Sequence, residues 1–206
     1  MLGMMTHSEN RTRVQQELWY LINDEDVNQV LEAMIDKMNE VGDSSERLKQ
    51  WRQEAKAYIP DEPEYDENYW VAAYILYTNM ENFKDLFDRL DNISSELSEL
   101  ENELEDLERE QEELEDRIES LRDELESLSD DDEEEGEEEE NEEWEEDEEE
   151  DEEIEDLKCE LGYLEEELEG VKATYEETSD RFYELEDDKK YLLWEIMERA
   201  EQLIAS

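Results

Sequence analysis

Apolar residues recur at intervals of seven along two long stretches of this chain, and the stretches are separated by a run of almost unbroken acid. The first row holds Tyr69, Leu76, Phe83, Leu90, Leu97, Leu104, Gln111, Ile118 and Leu125. Its companion row is Ala72, Asn79, Leu86, Ile93, Leu100, Leu107, Leu114, Leu121 and Leu128. A strict seven-residue repeat keeps one narrow seam facing a partner helix, so it predicts one long helix from about Asp66, roughly 95 Å at about 1.5 Å per residue. The second stretch places Ile154, Leu161, Leu168, Tyr175, Phe182, Lys189, Ile196 and Leu203 in one row. Leu157, Leu164, Val171, Thr178, Leu185, Leu192 and Arg199 form the other. Two seams flanking a polar break predict an antiparallel hairpin. Setting Leu128 against Ile154 then brings Leu121 to Leu161, Leu114 to Leu168, Leu107 to Tyr175 and Leu100 to Phe182. In that register Arg117 with Glu167, Glu103 with Arg181 and Glu108 with Lys172 would attract. Glu115 with Glu165 and Glu124 with Glu160 would repel, each by tenths of a kcal/mol. A dimer joined through the same seams is the alternative arrangement.

The first 90 residues read differently, as short amphipathic helices. Val14, Leu18, Leu21 and Ile22 share one face. Val27, Val30, Leu31, Met34, Met38 and Val41 share a second, which opens at Asp24 and closes at Gly42. A third segment opens at Ser44 or Ser45, carries Leu48, Trp51, Ala55, Tyr58 and Ile59, and stops before Pro60, with residues 60–63 as a linker. The stretch from Tyr69 to Tyr77 is apolar all round and needs wrapping by these three helices. The aromatics Trp19, Tyr20, Trp51, Tyr58, Tyr69, Trp70, Tyr74 and Tyr77 are expected in a core, with Trp70 and Trp194 buried together. The expected fold is all-α: a small helical-bundle head (residues 1–90, closed by 191–206), a two-helix coiled-coil stalk (91–129 and 154–190), and an acidic connecting loop (130–153).

Charge divides along the same lines. The chain has 206 residues, 74 acidic and 18 basic, for a formal net charge of −56. Residues 1–90 carry −10 of this and the remainder −46. Salt adaptation would coat the whole surface, so the polarity marks a specialised acidic segment. Within residues 130–153 only Gly136, Asn141 and Trp144 are not acidic, and mutual repulsion predicts disorder there. Such a surface repels nucleic acid and anionic membranes alike, which excludes direct binding to either. No apolar run approaches a membrane span and no signal peptide opens the chain, so a cytoplasmic setting is expected, the host-cell cytoplasm if the chain is viral.

Catalytic and metal chemistry find little purchase. The chain has one Cys and one His, so Cys159 has no internal disulfide partner and no Cys/His zinc site can form within the chain. No nucleophile elbow or phosphate loop is present, and abundant carboxylates without a pocket do not separate two pKa values for acid and base work. Gly136 could hold the sixth position of a calcium loop from Asp131 to Glu142, but Glu133 and Glu135 stand where shorter ligands belong and Glu138 replaces the apolar anchor. No catalytic residue, metal ligand or cofactor is expected.

The acid therefore reads as a binding surface for a basic partner. Over residues 91–129 and 154–191 the net charge is −23. Spread along roughly 57 Å, this gives about one charge per 2.5 Å, against about 1.7 Å for duplex DNA. Candidate contacts are the outward stalk acids Glu105, Glu112, Asp116 and Glu119. In the acidic run they are Glu133, Glu134, Glu135, Glu142, Glu143, Glu145 and Glu146, with Trp144 as an aromatic anchor. In this respect the chain resembles the acidic DNA-mimic inhibitors, many of them phage-encoded, that block restriction, recombination or CRISPR enzymes. The resemblance is one of composition over residues 91–206 and transfers no residue roles. It implies a non-enzymatic decoy that occludes the nucleic-acid-binding surface of a basic enzyme or histone-like protein. A coiled-coil scaffold and an acidic chaperone of basic proteins are the alternatives.

Overall fold

The computed structural model describes residues 7–131 and 146–205. Among these, six α-helices follow one another: α1 (His7–Asn23), α2 (Glu25–Val41), α3 (Glu46–Ala55), α4 (Glu67–Thr78), α5 (Lys84–Asp131) and α6 (Glu146–Ala205). Short 3-10 turns occupy Gly42–Ser44 and Met80–Asn82. The fold is all-α, with no strand among the described residues. The chain forms two compact units, Met1–Ser95 with Glu186–Ser206 and Glu96–Leu185.

The first unit is a helical bundle whose boundaries are set by side chains that satisfy free backbone groups. The Asp24 carboxylate accepts from the amides of Asp26 and Val27, both at 3.0 Å, so α1 and α2 are separated by a single residue. Gly42 ends α2 at φ 56°, a left-handed conformation that strains any side chain, and its N–H reaches the Met38 carbonyl. Nothing lies within 4 Å of where a Cβ would be, so the constraint there is backbone conformation and not space. Ser45 caps α3 by accepting from the Leu48 amide at 3.2 Å, and Asp66 caps α4 through Asn68.

Helix α4 is the centre of this unit. It packs against α1, α2 and α3 and buries Trp70, Val71, Ala72, Ala73, Ile75 and Leu76. Phe83, just before α5, and Leu86 and Leu90 of α5 join the same core, as do Leu192, Leu193, Ile196, Ala200 and Ile204 of α6. Trp70 is only 2% exposed, and its indole N–H has no partner there, so its apolar contacts must outweigh an unsatisfied donor.

Two expectations fail in this unit. The long helix from Asp66 is interrupted: α4 stops at Thr78 and α5 starts at Lys84. Thr78 Oγ1 donates to the carbonyl of Tyr74 at 2.8 Å, and the Asn79 side-chain amide donates to Ile75 at 2.7 Å. These polar side chains take carbonyls that a continuous helix would use, and they end it despite an unbroken heptad count. The second failure concerns the aromatics. Trp194 is 53% exposed and does not join Trp70, while Tyr191, Trp19 and Tyr20 are exposed as well. The buried stripe of α6 runs through Leu192, Leu193 and Ile196, which leaves Trp194 on the opposite side. That of α1 runs through Val14, Leu18 and Ile22, which leaves Trp19 and Tyr20 off it.

The second unit contains the remaining parts of α5 and α6, paired antiparallel. Ile118, Leu121 and Leu164 form its buried cluster, with Leu114, Leu157, Leu161 and Leu168 half-buried around them. Val171, Thr178 and Leu185 continue the buried row on α6. The helical backbone reaches into the acidic run from both sides, since α5 ends at Asp131 and α6 begins at Glu146. No helix among the described residues is long and apolar enough to cross a membrane.

Candidate interaction surface

Four ion pairs fix how the two helices of the second unit meet. Arg122 binds Glu165 at 2.6 Å, Lys172 binds Glu115 at 2.6 Å, Arg181 binds Glu96 at 3.0 Å, and Arg117 binds Glu160. The residue numbers of the pairs Arg117 with Glu160 and Glu96 with Arg181 add to 277. Those of Glu115 with Lys172 and Arg122 with Glu165 add to 287. These values lie evenly about 282, the sum for Leu121 with Leu161, two residues of one apolar cluster. The axial register is the one the seams predict, and the partners of the bridging charges are not. Arg117 pairs with Glu160 in place of Glu167, Arg181 with Glu96 in place of Glu103, and Lys172 with Glu115 in place of Glu108. Bridging side chains reach about one turn away from the residue level with them, which a level-by-level pairing misses.

These bridges consume cations that are already scarce. Residues 96–129 and 154–185 hold 27 acidic and 6 basic residues, and Arg109, Arg117, Arg122, Lys172 and Arg181 are each within an ion pair. The hydrogen bond from Lys172, then one from Gln111, holds the Glu115 carboxyl below the usual carboxylate range. The excess acid is left to solvent. Glu105, Glu112, Asp116 and Glu119 are all exposed on α5, and none forms an ion pair among the described residues. Glu105, Glu112 and Glu119 sit one heptad apart along α5, about 10.5 Å between neighbours along the axis, and Glu119 also lines a groove that α5 shares with α6. Asp116 lies one turn beyond Glu112 on the same side.

The other expected contacts, Glu133, Glu134, Glu135, Glu142, Glu143, Trp144 and Glu145, lie outside the described residues, as does the calcium-loop segment from Glu133 onward. Glu146 is the first residue of α6. No group of three or more His, Cys, Asp or Glu residues positioned to hold a metal ion occurs among the described residues. Cys159 is exposed.

Gly162 and Gly170 have open space where a Cβ would be, in keeping with their outer heptad positions. Sequence reasoning missed that Tyr163 and Tyr183 of α6 project into solvent. It also missed a groove of about 720 Å³ between the helices, with Ile118 and Leu168 in its lining. No family model, curated protein or solved structure matches this chain.

Proposed function

We propose that the chain is a non-enzymatic acidic decoy that presents nucleic-acid-like charge and occludes the basic nucleic-acid-binding surface of a partner protein. The observation that carries this reading is the row Glu105, Glu112, Asp116 and Glu119: exposed carboxylates without cation partners among the described residues, held by a continuous helical backbone. Residues 96–129 and 154–185 have a net charge of −21 along about 51 Å, or one charge per roughly 2.4 Å, near the linear density of a duplex. Because the carboxylates are already ordered, a basic groove meets them without first ordering a flexible chain. The partner is a basic protein, a nucleic-acid-handling enzyme or a histone-like protein, and an anti-defence role of the phage type is one setting in which such occlusion is useful. Direct binding of nucleic acid or membrane is not part of this reading.

The bridging pairs Arg122 with Glu165 and Glu115 with Lys172 favour a second reading, a coiled-coil scaffold whose charge only keeps copies apart. The test is affinity capture from the native host at low and high salt, followed by competition with DNA and RNA for the captured protein. A decoy competes with nucleic acid and weakens strongly with salt. Deleting residues 131–150 then separates the acidic run from the ordered carboxylates, since a large loss assigns recognition to the run. Simultaneous binding of the chain and nucleic acid to one partner, with no competition at any salt concentration, rejects occlusion.

A further inference from the structure

The groove between α5 and α6 is built from one short motif used twice. Residues 115–122 read EDRIESLR and residues 165–172 read EEELEGVK, so acid, apolar, acid, apolar and base recur in matching places. Glu115 corresponds to Glu165, Ile118 to Leu168, Glu119 to Glu169, Leu121 to Val171, and Arg122 to Lys172. The antiparallel register brings the two copies side by side, and each copy supplies the acid for the other's base. Glu115 binds Lys172 and Arg122 binds Glu165, both at 2.6 Å. The two bridges are related by a local pseudo-twofold axis, and Ile118 and Leu168 are an equivalent pair in the lining between them.

This arrangement leaves an unbalanced remainder. The two bridges neutralise their own charges, while Glu119, Asp123 and Glu169 line the same groove and form no ion pair among the described residues. An apolar floor asks for an apolar counterpart, and three unpaired carboxylates ask for cations. A flat basic surface supplies only the second. A second copy of this chain would set three unpaired carboxylates against three more, between molecules of net charge −56 each.

We propose that this groove seats a basic amphipathic helix of the partner protein, its apolar stripe over Ile118 and Leu168 and its flanking Lys or Arg side chains against Glu119, Asp123 and Glu169. The inference rests on the decoy reading and names the element of the partner that is engaged. Helix-in-groove recognition by residues at i, i+3, i+4 and i+7 is the matching mode. The pseudo-twofold lining offers similar contacts to a helix running in either direction.

The experiment uses the full-length chain and two synthetic peptides of about 18 residues and equal positive charge, long enough for about five helical turns. One carries Leu at i, i+3, i+4 and i+7 among Lys residues, and the other carries Ser in place of Leu. Titration by fluorescence anisotropy at moderate salt is repeated with two triple variants of equal charge, E119Q/D123N/E169Q in the groove and, outside both the groove and the ordered row, E99Q/E101Q/E103Q at exposed positions of α5. Circular dichroism checks that both remain helical. The Leu peptide is expected to bind about tenfold or more tighter than the Ser peptide, and the groove variant to lose about tenfold while the outer variant loses less than about threefold. Equal binding of both peptides, with equal losses in both variants, overturns the groove and leaves the charge reading standing. No binding of either peptide even at low salt overturns both readings. A dimer in sedimentation that the groove variant abolishes overturns the proposed occupant in favour of a second copy.

Discussion

The two units of this protein solve the same problem with different means. In the bundle, α4 is enclosed by three helices, and side chains such as Leu31, Met34, Ala72 and Leu76 are fully buried. In the paired helices only a narrow row is buried, with Ile118, Leu121 and Leu164 at its centre and the neighbouring leucines half-covered. The bundle therefore draws on apolar burial, which salt and pH barely alter, while the pair combines a thin seam with ion pairs that respond to both. The difference shows where binding is affordable. A unit that keeps most side chains exposed can devote its surface to carboxylates, whereas one such charge placed in the α4 core would be costly.

The largest expected effect that would sharpen this contrast is at Trp70. Trp70→Ala removes the largest fully buried side chain and should destabilise the bundle by about 3–5 kcal/mol in denaturant unfolding. A change below about 0.5 kcal/mol would mean that α4 is not the organising core. Leu121→Ala in the seam should cost about 2 kcal/mol, the low end for such a truncation, because partly exposed neighbours leave room for collapse. If it costs as much as Trp70→Ala, the seam is no thinner than the bundle core. Asp24→Ala removes the acceptor for two amides and should cost about 1 kcal/mol, with Asp24→Asn largely restoring stability.

Changing the pH should separate the units by direction alone. Between pH 7 and 5, partial protonation relieves repulsion along the paired helices, and their helicity should rise. The Glu115 bridge survives this interval because its carboxyl is held below the ordinary range, so its contribution is lost only as the pH falls through that lowered value. A fall in helicity over the same interval would contradict the role given to repulsion. At the alkaline end the bundle should weaken first. Burial, then the neighbouring Glu54, pushes the Tyr74 phenol up to about 12. The stability tied to its proton is complete below pH 10 and is lost as pH rises through about 12, which tyrosinate absorbance can follow alongside unfolding.

What the sequence made legible was whatever depends on local pattern. Asp24, Gly42 and Ser45 mark helix ends because capping is a property of a few adjacent residues. The seam sets the axial register because Leu121 and Leu161 fall together once the two rows are counted from the acidic break. The interruption at Thr78 and Asn79 escaped heptad counting, although four polar residues within Thr78–Asn82 carry the signal that could have revealed it. The exposure of Trp194 escaped because the face of α6 that the bundle buries is chosen by its partners and not by apolarity alone. The groove escaped although both copies of its motif are plain in the sequence, since only the antiparallel pairing turns two separate octapeptides into one surface.

The most direct test of the decoy reading is the affinity of the captured partner for the chain before and after neutralising the ordered row, as E105Q/E112Q/D116N/E119Q, with helicity verified and the acidic run left intact. The account predicts a loss of about tenfold or more at moderate salt, a shallower salt dependence, and weakened competition against nucleic acid. An unchanged affinity and an unchanged salt dependence in a fully helical variant would contradict it.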